Sequence, residues 1–114
     1  MSFILNSTDI RENTHLTEDF VYDGFGCSGD NKTPHLTWEN PPVGTESFAV
    51  TLYDPDAPTG SGFWHWIAFN IPKNATEITG FEDYPQAIND YGVQGYGGAC
   101  PPVGREHRYI FTVH

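Results

Sequence analysis

Apolar and polar positions alternate with a period of two through much of the chain. In Phe48-Ala49-Val50-Thr51-Leu52-Tyr53-Asp54, Phe48, Val50 and Leu52 fall on one face and Ala49, Thr51 and Tyr53 on the other. That spacing predicts a strand with one face against a core. Trp64-His65-Trp66-Ile67-Ala68-Phe69-Asn70-Ile71 is almost continuously apolar, which predicts a strand covered on both faces, with His65 pointing away from both tryptophans. Tyr109-Ile110-Phe111-Thr112-Val113 is β-branched and aromatic, and His35-Leu36-Thr37-Trp38 is a shorter candidate strand. Turn residues bound each segment: Pro41-Pro42-Val43-Gly44, the run from Pro55 to Gly62, and Gly95-Tyr96-Gly97-Gly98. Helical spacing is poor; Pro85 to Asp90 could form one turn, with proline at its start. The pattern predicts a single, mainly β domain over residues 1–114, a sandwich or Greek-key arrangement.

Composition narrows the function classes. The 114 residues carry 5 Lys plus Arg against 15 Asp plus Glu, a net charge of −10. Nucleic acid and anionic membrane surfaces need clustered cations, so neither is an expected partner. With 15 % aromatic residues and 18 % charged ones the chain is not of the disordered class. No apolar run approaches the roughly 20 residues of a membrane-spanning helix. The N-terminal Met1-Ser2-Phe3-Ile4-Leu5-Asn6-Ser7 lacks the basic and long apolar regions of a secretory leader, which favours a cytoplasmic location. Two cysteines, Cys27 and Cys100, are too few for a disulfide scaffold or a four-cysteine zinc site. Of the three bases after Ala57, Arg105 and Arg108 flank His107, so an anion site is expected to draw on residues 105–108.

Three segments concentrate chemistry-bearing residues. Asp54-Pro55-Asp56-Ala57-Pro58 projects two carboxylates from a proline-stiffened corner. Trp64-His65-Trp66 places an imidazole in an aromatic strand. Gly97-Gly98-Ala99-Cys100-Pro101-Pro102-Val103-Gly104 offers glycine backbone for an N–H nest and a stiff wall; in the strand after it His107 and Tyr109 share a face, with Arg108 on the other. A metal site from Asp54, Asp56, His65 and His107 lacks any His-x-His or His-x-x-x-His pair. A hydrolytic triad lacks its nucleophile: Ser61 sits in Gly60-Ser61-Gly62 rather than a G-x-S-x-G elbow, and Cys100 is followed by proline. What remains is a small pocket whose imidazole and phenol groups hold an anion.

These segments resemble the phosphatidylethanolamine-binding protein family, also called Raf kinase inhibitor proteins, and its bacterial branch in particular. The D-P-D-x-P corner followed by a W-H strand stands here as Asp54-Pro55-Asp56-Ala57-Pro58 and Trp64-His65-Trp66. The G-x-x-x-P-P-x-G stretch leading to H-R-Y stands as residues 97–104 and His107-Arg108-Tyr109. The loop from Gly24 to Asn31, with Pro34 after it, also looks like the bacterial members. The resemblance implies a Greek-key β-sandwich with few short helices. It also implies a pocket lined by Asp54, His65, Pro102, His107 and Tyr109, with Asp56 as the second signature aspartate. To these the residues themselves add an expectation of Gly97–Gly98 backbone donors and of an Asp56–Arg108 pair bracing two loops beneath the pocket. Family members continue beyond the H-R-Y strand, so the chain is expected to lack the last part of the fold, an opening that a second copy could fill as a homodimer. The family fold would also bring Cys27 near Cys100; a disulfide between them would favour the periplasm instead of the cytoplasm.

The favoured reading is non-enzymatic binding of a small anion or phospholipid head group, such as phosphate or phosphoethanolamine, without cofactor or metal. With two imidazoles involved, affinity for a dianion is expected to rise as pH falls through about 6.5. The alternatives are a regulatory protein that inhibits a kinase or protease through the pocket rim, and a weak hydrolase using His65 or His107 as base.

Overall fold

The computed structural model describes residues 3–12, 14, 16–24, 27–56, 62–80, 82, 84–100 and 107–114. Among the described residues eight strands follow in chain order: β1 (Ile4–Asn6), β2 (Asp23–Gly24), β3 (Cys27–Ser28), β4 (Leu36–Glu39), β5 (Ser47–Asp54), β6 (Phe63–Pro72), β7 (Glu77–Ile78) and β8 (Ile110–Val113). The one helical element among the described residues is the single 3₁₀ turn Glu18–Phe20. All strand pairs are antiparallel, in two three-stranded sheets ordered β1-β4-β7 and β6-β5-β8, with β2 and β3 forming a separate hairpin.

The alternation in β5 places Phe48, Val50, Leu52 and Asp54 on its buried face. Leu36 and Trp38 of β4 and Ile78 of β7 meet them from the other sheet in one cluster that also holds Trp66, Ala68 and Ile71 of β6. The Trp38 and Phe48 rings, 5.3 Å apart, join the two layers. This is the predicted mainly β sandwich, its core made from the facing sides of two sheets.

β6 departs from expectation because its pairing to β5 slips twice. Leu52 faces Trp66 while the next residue, Tyr53, faces Trp64, so His65 is an extra residue in a β-bulge. A second slip, between Phe48 and Val50, falls opposite Phe69 and Asn70, and Asn70 has φ of +53°. The first bulge puts the two tryptophans on opposite faces: Trp66 is fully buried, whereas Trp64 packs on Tyr53 with ring centroids 4.5 Å apart and stays partly exposed. A strand covered on both faces, with His65 opposite both tryptophans, is therefore not what forms.

Residues 85–90 do not make a helical turn. They run extended along β6, with Phe69 N–H donating to Pro85 O, Ala87 N–H to Ile67 O and Asp90 N–H to Trp64 O. The buried Trp66 Nε1 donates to Gln86 Oε1 at 2.8 Å, a bond that a local helical turn would have to forgo. β8 begins at Ile110, so His107, Arg108 and Tyr109 form its extended approach rather than part of the ladder.

A disulfide joins Cys27 of β3 to Cys100, 73 positions along the chain. It ties the β2–β3 hairpin to the segment that reaches His65. Chain-entropy reasoning for a loop of this length gives at most about 4 kcal/mol of stabilisation. Reduction with dithiothreitol, or a Cys27→Ser, Cys100→Ser double variant, should lower the guanidinium midpoint, and with it the unfolding free energy by an amount approaching that figure. An unchanged midpoint would show that the bond constrains nothing.

Candidate functional site

Three strand ends and one loop bring the site together. β5 ends at Asp54, whose side chain is buried. Pro55 follows and stiffens the corner. Asp54 Oδ1 accepts the Asp56 N–H at 2.8 Å, closing an Asx-type turn. Asp54 Oδ2 lies 2.7 Å from His107 Nδ1, and the two side chains are 4 % and 5 % exposed. Since a carboxylate oxygen only accepts, Nδ1 carries the proton in this bond, and Nε2 of His107 is left for other partners.

His65 is held in the same way. Its Nδ1 sits 3.0 Å from Gly97 O and 3.1 Å from Gly98 O. Two carbonyls can only accept, so Nδ1 is the protonated nitrogen and Nε2 of the neutral ring presents a lone pair. Burial is the largest influence on this imidazole and pushes its pKa below the ordinary 6.5. The two carbonyls and the carboxylates of Asp54 and Asp90 oppose that shift without reversing it. Neither Nε2 has a hydrogen-bond partner among the described residues.

Aromatic rings wall the cup. Phe63, Tyr91 and Tyr109 pack on His65 with centroids 4.7, 5.4 and 5.5 Å away, and Tyr109 lies 6.4 Å from His107. The two imidazoles thus flank one phenol instead of lying on opposite sides of the protein. Tyr91 donates its hydroxyl proton to Gly98 O at 2.8 Å. The Tyr109 hydroxyl is buried with no acceptor for its proton among the described residues. Burial pushes the Tyr109 phenol pKa up; the Cys100 amide, approaching its oxygen, opposes the rise only in part.

Several expectations need correction. The Gly97 and Gly98 amides form no anion nest: Gly97 N–H donates to His65 O, and Gly98 N–H to Asn31 Oδ1 at 2.7 Å. Their carbonyls face the site instead. Gly98 is required because a Cβ there would run into the Phe20 carbonyl, where this segment pairs with Val21. Arg108 does not supply charge to the cup. Its side chain is 71 % exposed and binds Asp56, with Nη2 to Oδ1 at 2.9 Å and the backbone N–H to Oδ2 at 2.6 Å. That is the expected Asp56–Arg108 pair. Pro102, Arg105 and Ser61 lie outside the described residues. Cys100 is spent in the disulfide, which removes it as a nucleophile. Among the described residues no three His, Cys, Asp or Glu side chains converge as a metal site.

Sequence reading missed Asn31, Phe63 and Tyr91. Asn31 clamps the 96–98 segment twice, through Oδ1 to Gly98 N–H and through Nδ2 to Tyr96 O at 3.3 Å, from a backbone with φ of +50°. No local signal marked it, because its partners are more than 60 residues away. A second hollow of about 470 Å³, bordered by Asp9, Asp19, Lys32, Thr33 and Thr79, is open and holds none of the unpartnered buried polar atoms that mark the cup.

A sandwich carrying an Asp–His pair and a second imidazole beside a buried phenol defines the class of protein. The chain belongs to the phosphatidylethanolamine-binding protein family, whose profile matches residues 6–114. It is 47 % identical to the UPF0098 protein YbhB of Escherichia coli K12 over 119 residues, spanning 96 % of this chain and 75 % of that one. It is 48 % identical to the UPF0098 protein YbcL of the same strain, over 98 % of this chain and 67 % of the relative. The crystal structure of E. coli YbcL, described as a new member of the mammalian PEBP family, superposes with a TM-score of 0.94 over 97 % of this chain and 74 % of that one. CT736 of Chlamydia trachomatis shares the fold at a TM-score of 0.84 and 24 % identity. Among the described residues no helix is long and apolar enough to cross a membrane.

The Asp56–Arg108 pair makes a pH prediction. Hydrogen bonds from Arg108 hold the Asp56 carboxyl at about 2 against an ordinary 3.8. A depressed carboxyl pKa stabilises the fold above the unfolded value, and that contribution disappears as pH falls through the folded value. The stability gap between wild type and Asp56→Asn should be constant above pH 4 and close between 3.8 and about 2. Denaturant titrations across that range check it; a gap independent of pH would mean the pair does not brace the loops. His65, common to both proteins, adds acid lability below pH 6.5 because the unfolded chain binds a proton that the folded one resists.

Proposed function

We propose that the cup binds the phosphate group of a small molecule or lipid head group, without turnover and without a cofactor. The observation that carries this reading is the Tyr109 hydroxyl, buried with its proton unused between two imidazoles. An unmade hydrogen bond in a buried site costs about 1–3 kcal/mol. A ligand oxygen that accepts from Tyr109 recovers that energy. A second ligand atom reaches Nε2 of His107, whose ring is held from behind by Asp54 at 2.7 Å. Phe63 and Tyr91 keep water from the inner wall, which strengthens both bonds. Membership of the family supports a ligand-binding role.

Tyr109→Phe separates this reading from a merely structural one. Removing an unsatisfied buried hydroxyl should leave the melting temperature unchanged or raise it. The same change should weaken O-phosphoethanolamine and inorganic phosphate about tenfold in calorimetric titrations, equivalent to about 1.4 kcal/mol. If only vesicles containing phosphatidylethanolamine respond, the source is a lipid; if the free compounds respond, it is a soluble phosphate. Affinity indifferent to Tyr109→Phe would refute the reading.

We further propose that the protein works in an oxidising compartment such as the periplasm rather than in the cytoplasm. Paired cysteines such as Cys27 and Cys100 persist mainly in such compartments. Acid-quenched alkylation of whole cells should find both cysteines unmodified; full alkylation would instead place the protein in the reducing cytoplasm.

A further inference from the structure

We infer that Thr8 is a reactive site of its own, separate from the cup: an activated hydroxyl that accepts small, uncharged acyl groups from activated esters. Its ground is a relay of three side chains from three separate segments. Thr8 Oγ1 lies 3.1 Å from His35 Nδ1, and His35 Nε2 lies 3.2 Å from Glu77 Oε2 of β7. The Glu77 carboxylate can only accept, so Nε2 carries the ring proton. Nδ1 of the neutral ring then holds a lone pair, and the Thr8 hydroxyl donates to it. A hydroxyl bonded to an imidazole whose far nitrogen is oriented by a third group is the arrangement that activates a nucleophile. Thr51 and His114 supply the internal contrast. Thr51 Oγ1 also lies 3.1 Å from an imidazole nitrogen, His114 Nε2, but no carboxylate is bonded to that ring among the described residues.

The residues on either side of Thr8 grip the backbone of its base. Ser7 Oγ donates to His35 O at 2.5 Å and accepts the Asp9 and Ile10 N–H groups at 3.0 and 3.1 Å. Asp9 Oδ2 accepts the His35 N–H at 2.8 Å. Leu36 and Thr37 pair with Ile78 and Glu77, which sets the carboxylate behind the ring. Nucleophile and base are thus aligned before any donor arrives, while Thr8 itself stays exposed. Asp9 also borders the open hollow it shares with Asp19, Lys32, Thr33 and Thr79. An acyl donor lodged there meets two carboxylates, which disfavours anionic donors, and the Lys32 ammonium, which opposes negative charge on the carbonyl oxygen. In the transfer, Thr8 Oγ1 attacks the carbonyl carbon and its proton passes to His35 Nδ1, with Glu77 paired to the charged ring. The C–O bond to the leaving alcohol or phenol then breaks, and that oxygen takes the proton back from Nδ1. The acyl group remains as an ester on Thr8.

Reaction of the full chain with p-nitrophenyl acetate, followed by nitrophenolate absorbance and by peptide mass spectrometry, tests the inference. Acetyl should appear on Thr8 as a hydroxylamine-labile ester, and Thr51 should stay unlabelled. His35→Gln and Glu77→Gln should each slow Thr8 labelling about tenfold, below the full range of general-base assistance because the relay is open to water. Thr8→Val should abolish the ester and Thr8→Ser should restore it. Label confined to amines such as Lys32 and Lys73 would overturn the inference. So would a Thr8 ester whose rate of formation ignores both His35→Gln and Glu77→Gln, since the relay would then only pin the N-terminal segment to β4 and β7. Either result leaves phosphate binding by the cup untouched.

Discussion

The site depends on one interaction: the His65 Nδ1 proton shared between the carbonyls of Gly97 and Gly98. It is a long-range bond, joining β6 to a loop more than 30 residues later. It fixes the imidazole tautomer, the position of the loop and the polarity of the cup together. Everything near it serves to keep those two carbonyls in place. Asn31 takes the Gly98 N–H, Gly97 N–H returns to His65 O, Tyr91 also donates to Gly98 O, and the disulfide anchors the chain two residues on. Each bond is worth about 1 kcal/mol. Their value here is geometric, because together they leave the loop one arrangement.

The electrostatics are unusual for a proposed anion site, since the chain carries a net charge of −10. Most of that charge is on the surface, where screening over about 8 Å at physiological salt makes distant carboxylates weak. Asp56 is neutralised by Arg108. Asp54 is the serious opponent. At an effective dielectric of about 20, a bare carboxylate about 6 Å from an anion repels it by about 3 kcal/mol per unit charge. His107, in direct contact with Asp54, turns that opposition into support. In the proposed complex its ring lies between the two negative groups, with Nδ1 bound to Asp54.

Much of this was legible in the sequence, and the failures share a cause. The eight residues of β5 alternate cleanly, so the strand and its buried face could be read directly. The two signatures named Asp54, His65, His107 and Tyr109, which the structure brings together. What could not be read was set by partners distant along the chain. The bulge at His65 follows from pairing against β5, and it moves Trp64 to the opposite face from Trp66. Residues 85–90 extend because β6 offers open backbone groups and Trp66 needs Gln86, which outweighs the weak local preference for a turn. β2, β3 and β7 contain only two residues each, too few for any periodicity. The same limit applies to the site. Glycine at 97 and 98 announced close backbone approach, yet whether amides or carbonyls would face inward depended on Asn31 and His65.

Stability and function pull against each other most clearly at Tyr109. A phenylalanine would fill the same space without burying a hydroxyl whose proton has no acceptor among the described residues; the approach of the Cys100 amide to its oxygen is a small compensation. The surrounding bonds explain how the penalty is tolerated. Both imidazoles have one nitrogen tied to fixed acceptors, and Tyr91 has its hydroxyl tied to the same loop. The rings cannot turn inward to satisfy Tyr109 without releasing those bonds. The site therefore stays polarised. Rigid groups lose little further freedom on binding, so the energy stored in the unmade bond is available to a ligand. This is the physical reason to regard the disulfide, the Asn31 clamp and the Asp54–His107 pair as parts of a single device. Each restrains the back of a ring or loop so that the front remains unsatisfied.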